Sequence, residues 1–552
     1  MPSLGGAGAP ERARLRVGVM LDSFAVPAWI EKVLRQIESS GIAELRIAIL
    51  NREPPRSRSQ RVRGARGREL FWLYEKVDYR VFRAAKDAFA TTDVAGYFDS
   101  AEVLEVVPLR KRFVHRFDDA TIATIRAHDL DVMLRFGFGI IRGDILETAR
   151  CGVWSYHHGD NREYRGGPAF FWEMQEGNPV TGTMLQVLGE KLDAGRVIYR
   201  SHSATNFYSL YLSRNSAYWK SADFVVRRLR DVYERGWDGV VRDPAYDDPD
   251  TYSRGLYRPP SNRVMLAFAW RLAGRLLRRA LDRAFYRAQW YVLVTDSSTR
   301  RDRPLLPPPA RFYADPFVLD ADGGRYVLFE DFSFADRKGR ISYVAADDEA
   351  ATARPALERD YHLSYPFVFR WDGATYMVPE TSAAGRIELY RAERVPDRWR
   401  LERTLIDGLD AVDATVLEHG GRFWLFAGVA VEGANYTDEL FLFSADTPVG
   451  PWAPHPANPV VSDVRRARPA GRIRVVDGVL VRPSQDCSRS YGGEIVLNRI
   501  DRLDEDAYAE TPIGRIGVER VPGAAAIHHV DEAGGVEVLD ALRRIPKLSL
   551  RR

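Results

Sequence analysis

The chain has 552 residues, of which 45% are hydrophobic and 28% are charged, and its formal net charge is +4. A chain of this length is too long for a single hydrophobic core, so we expect two or more domains. The small net charge argues against nucleic acid as a partner. With two cysteines, Cys151 and Cys487, the sequence offers neither a disulfide framework nor a cysteine-rich metal site. We expect a cytoplasmic protein, because no apolar run is long enough to span a membrane and the sequence begins without the apolar core of a signal peptide.

The first domain is predicted over residues 15–240, after a flexible tail at residues 1–14, and it alternates apolar strands with amphipathic helices. The patterns RLRVGVML, ELRIAIL, DLDVMLRF and GVWSY predict strands. Between the first two strands, Pro27 suits a first helical turn and Gly41 suits a helix end. The alternation predicts an open α/β sheet, parallel or mostly parallel, with helices on both faces. Functional groups on such sheets gather at the carboxyl ends of the strands.

One such strand end carries VWSYHHGDNREYRGG, residues 153–167, in which two adjacent histidines precede an acid, an amide, two arginines and three glycines. Next, Pro168 begins a helix that ends at Gly177, and the strand TGTMLQVL leads to the turn LDAG, which contains Asp193. A single histidine in this position is most often a satisfied buried residue. The combination of several ionisable side chains with several glycines, which leave room for a ligand, indicates a reaction centre instead.

This series resembles the N10-formyltetrahydrofolate-dependent formyltransferases, the family of methionyl-tRNA formyltransferase and the sugar N-formyltransferases. The family pattern is an Asn-x-His, a short loop, Arg-Gly, a Pro-led helix, a Gly and a Leu-Asp-x-Gly turn. The positions that fall in register are His157, Arg165, Gly166, Pro168, Gly182, Leu192, Asp193 and Gly195. The resemblance implies a Rossmann-like formyltransferase fold and the transfer of a formyl group from the co-substrate 10-formyltetrahydrofolate to an amine.

The resemblance also implies three catalytic residues. His157 would stabilise the oxygen of the tetrahedral intermediate, and Asp193 would accept a proton from the attacking amine, with no metal required. Ser155 stands where the family has asparagine, and its hydroxyl can donate one hydrogen bond. Loss of an oxyanion donor typically reduces turnover by about 10²–10³, which is the expected cost where serine does not replace the amide.

The loop RFGFGIIRGDIL occupies the place where the family's backbone holds the pterin ring. The cofactor-binding residues that the resemblance implies are Phe138, Gly139, Ile140, Ile141 and Asp193. Turn chemistry at a strand end would explain the glycines equally well. The substrate-binding candidates of this domain are His158, Asp160, Asn161, Arg165 and Gly166. His158 points to the opposite face of its strand from His157, where a structural role is equally expected.

Residues 241–300 are predicted to link the first domain to a second. Their first part is rich in Pro, Asp and Tyr, and residues 263–290 form a helical pattern with arginines every four residues from Arg271 to Arg287. One interpretation is a connecting helix with a solvated basic face. The other is a helix that lies on an anionic membrane surface, which would place the protein at the inner face of the membrane.

Residues 301–552 change to short strands that repeat. Five segments share an apolar strand, a turn and a second strand, the last two being weaker copies: 313–331, 364–381, 413–428, 468–486 and 526–540. Their starts lie about fifty residues apart, which predicts an all-β five-bladed propeller. A β-sandwich with coincidental hairpins is the alternative.

The repeats YADPFV, LSYPFVF, VPETS and DATV are similar to the N-terminal domain of glucosamine inositolphosphorylceramide transferase and, more distantly, to furanosidase-type glycoside hydrolases. The second resemblance implies that Asp315 and Asp413 line a central pocket, where they bind sugar hydroxyls or serve as turn residues. The fourth repeat lacks the glutamate that those hydrolases use as an acid, which argues against hydrolysis.

Together the two resemblances predict formyl transfer to the amine of a nucleotide- or lipid-linked sugar in glycan biosynthesis, with a propeller that binds or modifies carbohydrate. Two alternatives stay open. One is an enzyme of glycosyltransferase or glycosidase type that acts through the propeller. The other is a glycan-binding scaffold whose formyltransferase module has decayed at Ser155.

Overall fold

The chain divides into two compact units, the first formed by Met1–Ser201 and Ser209–Ala269 and the second by His202–Tyr208 and Trp270–Arg552. The computed structural model describes residues 12–54, 66–111, 113–190, 195–242, 252, 254–296, 298, 301–321, 324–348 and 352–547. Among these residues no helix is both long and apolar enough to cross a membrane.

The first unit mixes strands and helices. Its elements, with the helix that leads into the second unit, are β1 (Leu15–Leu21), β2 (Ala25–Pro27), α1 (Ala28–Ser39), β3 (Ala43–Asn51), α2 (Glu69–Phe82), β4 (Thr91–Asp93), β5 (Glu102–Val106), β6 (Leu109–Lys111), β7 (Val114–Arg116), α3 (Asp119–Ala127), β8 (Val132–Arg135), β9 (Ile140–Ile141), β10 (Val153–His157), α4 (Phe171–Glu176), β11 (Val180–Val187), β12 (Arg196–Ala204), α5 (Leu210–Ser221), α6 (Asp223–Val241) and α7 (Asn262–Phe285).

Seven strands of this unit form one sheet in the order β12-β11-β10-β8-β1-β3-β5. The pairs of β1 with β3 and β8, of β3 with β5 and of β8 with β10 are parallel, whereas β10 and β11 are antiparallel. The central strands are apolar on both faces, as a sheet covered on both sides requires. Because β8 and β10 run in parallel, Arg135 and His157, the last residues of these strands, lie at the same edge of the sheet.

The helices cover the sheet through one apolar face each. In α1, Trp29, Ile30, Val33, Leu34 and Ile37 recur at helical spacing and are all buried. Buried side chains of α6 belong to the same hydrophobic core as those of α1. This spacing of apolar residues was sufficient to predict α1, and the structure begins the helix directly after Pro27.

The second unit is built of strands. Its strands are β13 (Tyr286–Asp296), β14 (Arg301–Leu305), β15 (Arg311–Ala321), β16 (Gly324–Ser333), β17 (Lys338–Ala345), β18 (Arg354–Leu357), β19 (Ser364–Trp371), β20 (Ala374–Glu380), β21 (Arg386–Arg394), β22 (Arg398–Asp407), β23 (Ala411–His419), β24 (Arg422–Val429), β25 (Leu440–Ala445), β26 (Ala453–Pro454), β27 (Arg474–Val476), β28 (Val479–Asp486), β29 (Glu494–Leu503), β30 (Tyr508–Ile516), β31 (Val530–Ala533) and β32 (Val536–Pro546).

These strands form four-stranded sheets. Four of the sheets each use consecutive strands, β15 to β18, β19 to β22, β23 to β26 and β27 to β30. A fifth has the order β14-β13-β32-β31, so it takes strands from the beginning and from the end of the unit. β13 and β32 pair along their whole length, from Tyr286 with Pro546 to Asp296 with Val536. The prediction of an α/β region followed by an all-β region is confirmed.

Candidate active site

Three residues of the second unit occupy equivalent places in the first strands of successive sheets and share an uncommon backbone conformation. Asp315, Tyr365 and Asp413 have φ values of 51°, 43° and 55°. Each lies where the pairing of its strand with the next shifts register. A non-glycine residue in the left-handed region costs on the order of 1–3 kcal/mol, and such residues concentrate at functional sites. The same strained conformation at three equivalent positions indicates that these strand starts form a functional site.

Asp413 is paired with a buried cation. The Nε atom of Arg468 donates a hydrogen bond of 2.6 Å to Oδ2 of Asp413, and both side chains are buried. Burial raises the pKa of Asp413 to about 7; the charge of Arg468 opposes this shift, and the nearby carboxylates of Asp315 and Glu380 add to it. Near neutral pH the carboxyl group of Asp413 is therefore present in both its protonated and its ionised form.

Asp315 is held by an imidazole that lies between two carboxylates. The Nε2 atom of His528 is 3.1 Å from Oδ1 of Asp315, and its Nδ1 atom is 2.9 Å from Oδ1 of Asp540. Burial alone would lower the pKa of His528, but Asp540 and Asp315 raise it to about 10. Burial would raise the pKa of Asp315, but the charge of His528 lowers it to about 2. His528 is thus an imidazolium at neutral pH, and Asp315 is a carboxylate.

The position of Asp540 is fixed by the backbone. Its carboxylate accepts hydrogen bonds from the backbone N–H groups of Asp315, His528 and His529, at 2.9, 3.1 and 3.0 Å. The possible ligand atoms of Asp315, His528 and Asp540 lie within 4.8 Å of one another, a spacing that could also hold a metal ion. The distances from the two ring nitrogens of His528 to the carboxylates describe two ion pairs in a chain, from Asp315 through His528 to Asp540.

Two glutamates that the sequence analysis did not select complete the cluster. Glu330 of β16 pairs with Ala314, and Glu380, the last residue of β20, pairs with Ser364, so both hold the same place in their hairpins. Burial, with the charges of Asp315 and Glu380, raises the pKa of Glu330 well above its usual range. Glu380 accepts a hydrogen bond of 2.8 Å from the hydroxyl of Ser364. The signal in the sequence was a glutamate in the second strand of the first two repeats, in LFED and in VPET.

Aromatic rings connect this buried cluster with the surface. The guanidinium carbon of Arg468 lies 4.9 Å from the ring centroid of Tyr491, a residue that is 46% exposed. The rings of Tyr491 and Trp290 lie 5.3 and 4.2 Å from the imidazole of His528. Carboxylates of different protonation state beside accessible aromatic rings suit a ligand that offers both hydroxyl groups and apolar C–H faces.

In the first unit, the two described residues of the predicted catalytic set lie on β10 and are buried. The guanidinium of Arg135 donates to the hydroxyl of Ser155 through Nη2 and Nε, at 2.9 and 3.1 Å. The Nε2 atom of His157 is 2.8 Å from the carbonyl oxygen of Tyr164. Asp193, with Leu192 of the same turn, lies outside the described residues. The meeting of His157 with Asp193 therefore stays a prediction.

A cleft of about 260 Å³ in the first unit is lined by part of the predicted cofactor-binding set. Gly139, Ile140 and Ile141 line it together with Arg135, Arg142, Tyr156, Gln186, Leu188, Gly189 and Glu190. Phe138 does not line the cleft, because its φ of 65° turns the residue into the core, where its ring packs against Phe117. The buried Oε1 of Gln186 makes no hydrogen bond within the described part of the chain. Binding of 10-formyltetrahydrofolate here stays a prediction.

Most of the predicted substrate-binding residues of the first unit make contacts that fold their own loop. Asp160 and Asn161 both accept from the guanidinium of Arg200, at 3.3 and 3.2 Å. Arg165 donates from Nε to the carbonyl oxygen of Asn161 at 2.8 Å. Gly166 has a φ of 96°, and a Cβ atom added to Gly166 would lie 2.3 Å from the carbonyl oxygen of Tyr257. These contacts define the shape of the loop.

His158 lies on the opposite face of β10 from His157, as the alternation of strand residues requires. Its ring stacks on Tyr218 at 3.6 Å and meets the edge of Trp29 at 5.7 Å. Burial lowers the pKa of His158 well below its usual range, so the ring is neutral. The structure gives this residue a place in an aromatic cluster.

Comparison with known proteins gives a family match within the second unit. Residues 296–527 match the family described as "Glucosamine inositolphosphorylceramide transferase 1, N-terminal". Glucosamine inositolphosphorylceramide transferase 1 of Oryza sativa subsp. japonica is 33% identical over 252 residues, which are 43% of this chain and 34% of the relative. The chain thus spans about a third of that relative's length. The matched range includes Asp315, Asp413 and Arg468 and ends directly before His528.

A shorter match is to a formyltransferase. Methionyl-tRNA formyltransferase of Synechococcus sp. (strain WH7803) is 32% identical over 83 residues, which are 15% of this chain and 24% of the relative.

Among solved structures, a thermostable family-43 glycoside hydrolase is similar with a TM-score of 0.29 and 16% identity, covering 37% of this chain and 75% of that one. The sequence resemblance to the glucosamine inositolphosphorylceramide transferases is confirmed, and the formyltransferase resemblance is supported only over this shorter segment.

The prediction that this protein transfers a formyl group to a sugar amine is wrong. It is overturned by the relatives that match a far larger share of the chain, whose name gives glucosamine inositolphosphorylceramide transfer and no formyl group. They favour the alternative in which the second unit acts on a glycan. The prediction gave too much weight to the register of a short motif in the first unit, where the structure binds the Ser155 hydroxyl to Arg135.

Proposed function

We propose that this protein is a glycosyl-transferring enzyme whose second unit binds a sugar at the cluster of Asp315, Asp413, Arg468 and His528. The observation that carries the proposal is the separation of the two aspartates in acidity, because the pKa of Asp315 is lowered to about 2 and that of Asp413 is raised to about 7. Two carboxyl groups whose surroundings shift their pKa values in opposite directions usually have different roles in one reaction.

The five sheets of the second unit would surround this cluster as the blades of a propeller. In support of this arrangement, the cluster takes residues from several sheets: Asp315 from β15, Asp413 from β23 and Asp540 from β32. Tyr365 from β19 adds a hydroxyl that lies 2.8 Å from Oγ1 of Thr415 and accepts a hydrogen bond of 2.9 Å from the N–H of Gly471. Residues so distant in sequence meet where strands start at a common centre.

The proposed reaction uses the two aspartates in different ways. The bond between the anomeric carbon of the donor and its phosphate oxygen breaks, and the phosphate leaves with the electron pair. The acceptor hydroxyl forms the new bond to the anomeric carbon, and its proton passes to the ionised form of Asp413. Asp315, which stays a carboxylate, stabilises the positive charge that develops on the sugar ring.

The sugar that fits this proposal is an amino sugar. The relatives are named for glucosamine, and the ammonium group of such a sugar would find several carboxyl groups in this cluster, among them Glu380. The same name gives inositolphosphorylceramide, so a lipid-linked inositol phosphate is the acceptor class to test first. Tyr491 and Trp290 offer the rings on which the apolar face of the sugar would lie.

The experiment is a transfer assay with the full chain, nucleotide-linked glucosamine or N-acetylglucosamine as donor and vesicles that contain inositolphosphorylceramide as acceptor. We expect a lipid product heavier by one amino sugar, detected by mass spectrometry. Asp413→Asn should slow its formation by about 10²–10⁴, the usual contribution of a general base. Asparagine tolerates the left-handed backbone at this position.

A matched control is Asp372→Asn, the same chemical change at an exposed aspartate whose φ is 48°, in the turn between β19 and β20. The control should leave the rate unchanged. Absence of any sugar transfer by the folded wild-type chain, or equal rates for the two variants, would refute the proposal.

A further inference from the structure

Helix α2 of the first unit exposes apolar side chains and buries a charged one. Leu73, Val77 and Val81 recur every four residues on the exposed face, and Val81 is 66% exposed. On the opposite face, Asp78 is buried and accepts a hydrogen bond of 2.6 Å from the backbone N–H of Tyr211. The solvent face of a globular protein's helix is ordinarily polar, so this face of α2 is built for something other than water.

Helix α7 has the same property. Met265 and Phe268 are its buried side chains, whereas Leu266, Trp270 and Leu277 are exposed, Trp270 to 82%. The intervals of four and seven residues place these three side chains on one stripe, which continues to the exposed Leu281. A tryptophan this exposed, inside an apolar stripe, is typical of a surface that binds a partner.

Helix α2 adjoins the start of α7, whose residues 262–269 belong to the first unit. The side chain of Asn262, at the start of α7, donates a hydrogen bond of 2.7 Å to Glu69 at the start of α2 and accepts one of 3.1 Å from the N–H of Leu70. The ring of Tyr74 meets that of Phe268 at 5.1 Å between their centroids. The first turns of α7 are thus packed on α2.

Basic residues border both stripes. Lys76 and Arg80 of α2 and Arg263 and Arg278 of α7 are exposed beside the apolar side chains. The whole of α7 carries six arginines and one aspartate, Asp282, which is paired with Arg544. A protein partner would have to supply acidic groups around an apolar centre. A bilayer with anionic lipids supplies negative headgroups above an apolar interior, and these complement basic residues that border an apolar stripe along a whole helix.

We propose that the exposed apolar stripe of α2 and that of α7 each bind the surface of an anionic lipid bilayer. Leu73, Val77 and Trp270 enter the boundary between headgroups and acyl chains, and the arginines and lysine lie among the headgroups. The inference stands independently of the proposed function, because it rests on these two helices and not on the aspartate cluster of the second unit.

The test is sedimentation of the full chain with vesicles. Wild-type protein should bind vesicles of phosphatidylcholine with phosphatidylglycerol at least about tenfold more tightly than vesicles of phosphatidylcholine alone, and salt should weaken the binding. The tryptophan fluorescence should shift to shorter wavelength on binding. The double variant Trp270→Glu/Leu277→Glu and the separate variant Leu73→Glu/Val77→Glu should each lose at least about tenfold in affinity.

The matched control is Val475→Glu/Ile513→Glu, which makes the same apolar-to-acidic change at two exposed positions of the second unit, on β27 and β30. It should bind vesicles as wild type does. Circular dichroism confirms that the variants fold. Equal binding to both kinds of vesicle, or unchanged binding by both helix variants, overturns the proposal. So does a dimer in sedimentation velocity that the helix variants dissociate while vesicle binding stays unchanged, since the face would then join two copies of the chain.

Discussion

The pKa of Asp413 has a consequence for stability that can be measured without a substrate. In an unfolded chain an aspartate has a pKa of about 3.9, whereas in the folded protein burial raises the pKa of Asp413 to about 7. The folded state therefore binds a proton at Asp413 more tightly than the unfolded state does. Stability must fall as the pH rises between these two values, and it must level off above the higher one.

The size of the effect follows from the difference between the two pKa values. Roughly three units at about 1.4 kcal/mol each predict a loss of about 4 kcal/mol in the free energy of unfolding between about pH 4 and about pH 7. Asp413→Asn removes the titrating proton and keeps an oxygen that can accept from Nε of Arg468. The variant should lack this component of the pH dependence, while Asp315 and His528 titrate in both proteins.

The assay is urea unfolding across about pH 4 to about pH 8, followed peptide by peptide through proteolysis and mass spectrometry, so that β23 and β24 report on the second unit. The informative quantity is the difference between the wild-type and Asp413→Asn curves, which should change by about 4 kcal/mol over this range. A difference that stays constant with pH would show that Asp413 is ionised throughout, and the division of roles between the two aspartates would fail.

Three further predictions concern His528, Glu173 and Gly166. The pKa of His528 is raised to about 10, so its ion pairs stabilise the fold below about pH 6.5 and this contribution, about 5 kcal/mol, is lost towards pH 10; His528→Gln should lack that alkaline loss in urea unfolding. Burial raises the pKa of Glu173 in α4 to about 8, so Glu173→Gln should remove a loss of about 5 kcal/mol between about pH 4 and pH 8 in the first unit. Gly166→Ala should lower the stability of the first unit by about 2 kcal/mol in calorimetry, because of its φ of 96° and the carbonyl of Tyr257; an unchanged transition would contradict this.

Local sequence patterns predicted much of the architecture. The apolar runs that became β1, β3, β8 and β10 are short and bounded by glycine or charge, and a strand buried on both faces needs nothing more. In the second unit, hairpins such as the one turning at Asp372 repeat a pattern of apolar strand, turn and aromatic strand, which specifies a sheet wherever it occurs. The predicted hairpin repeats correspond to the observed four-stranded sheets.

The site was less accessible to such reasoning because its contacts are distant in sequence. Asp315 was selected from its repeat, but its partner Asp540 lies 225 residues away and His528 stands in one of the two weaker copies of the repeat. The protonation states arise from burial and from neighbouring charges, which no spacing of residues reveals. In the first unit, the motif in register gave no sign that Arg135 would bind the hydroxyl of Ser155.

Because β13 pairs with β32, the fifth sheet of the second unit can form only after almost the whole chain has been synthesised. A ribosome releases β13 some two hundred and forty residues before it releases the strand that β13 pairs with along its full length. Throughout that interval β13 presents an unsatisfied backbone edge, which could pair with neighbouring nascent chains. Removal of Val536–Pro546 by a premature stop codon would leave this edge exposed permanently, so we expect such products to aggregate rather than to accumulate as shortened enzymes.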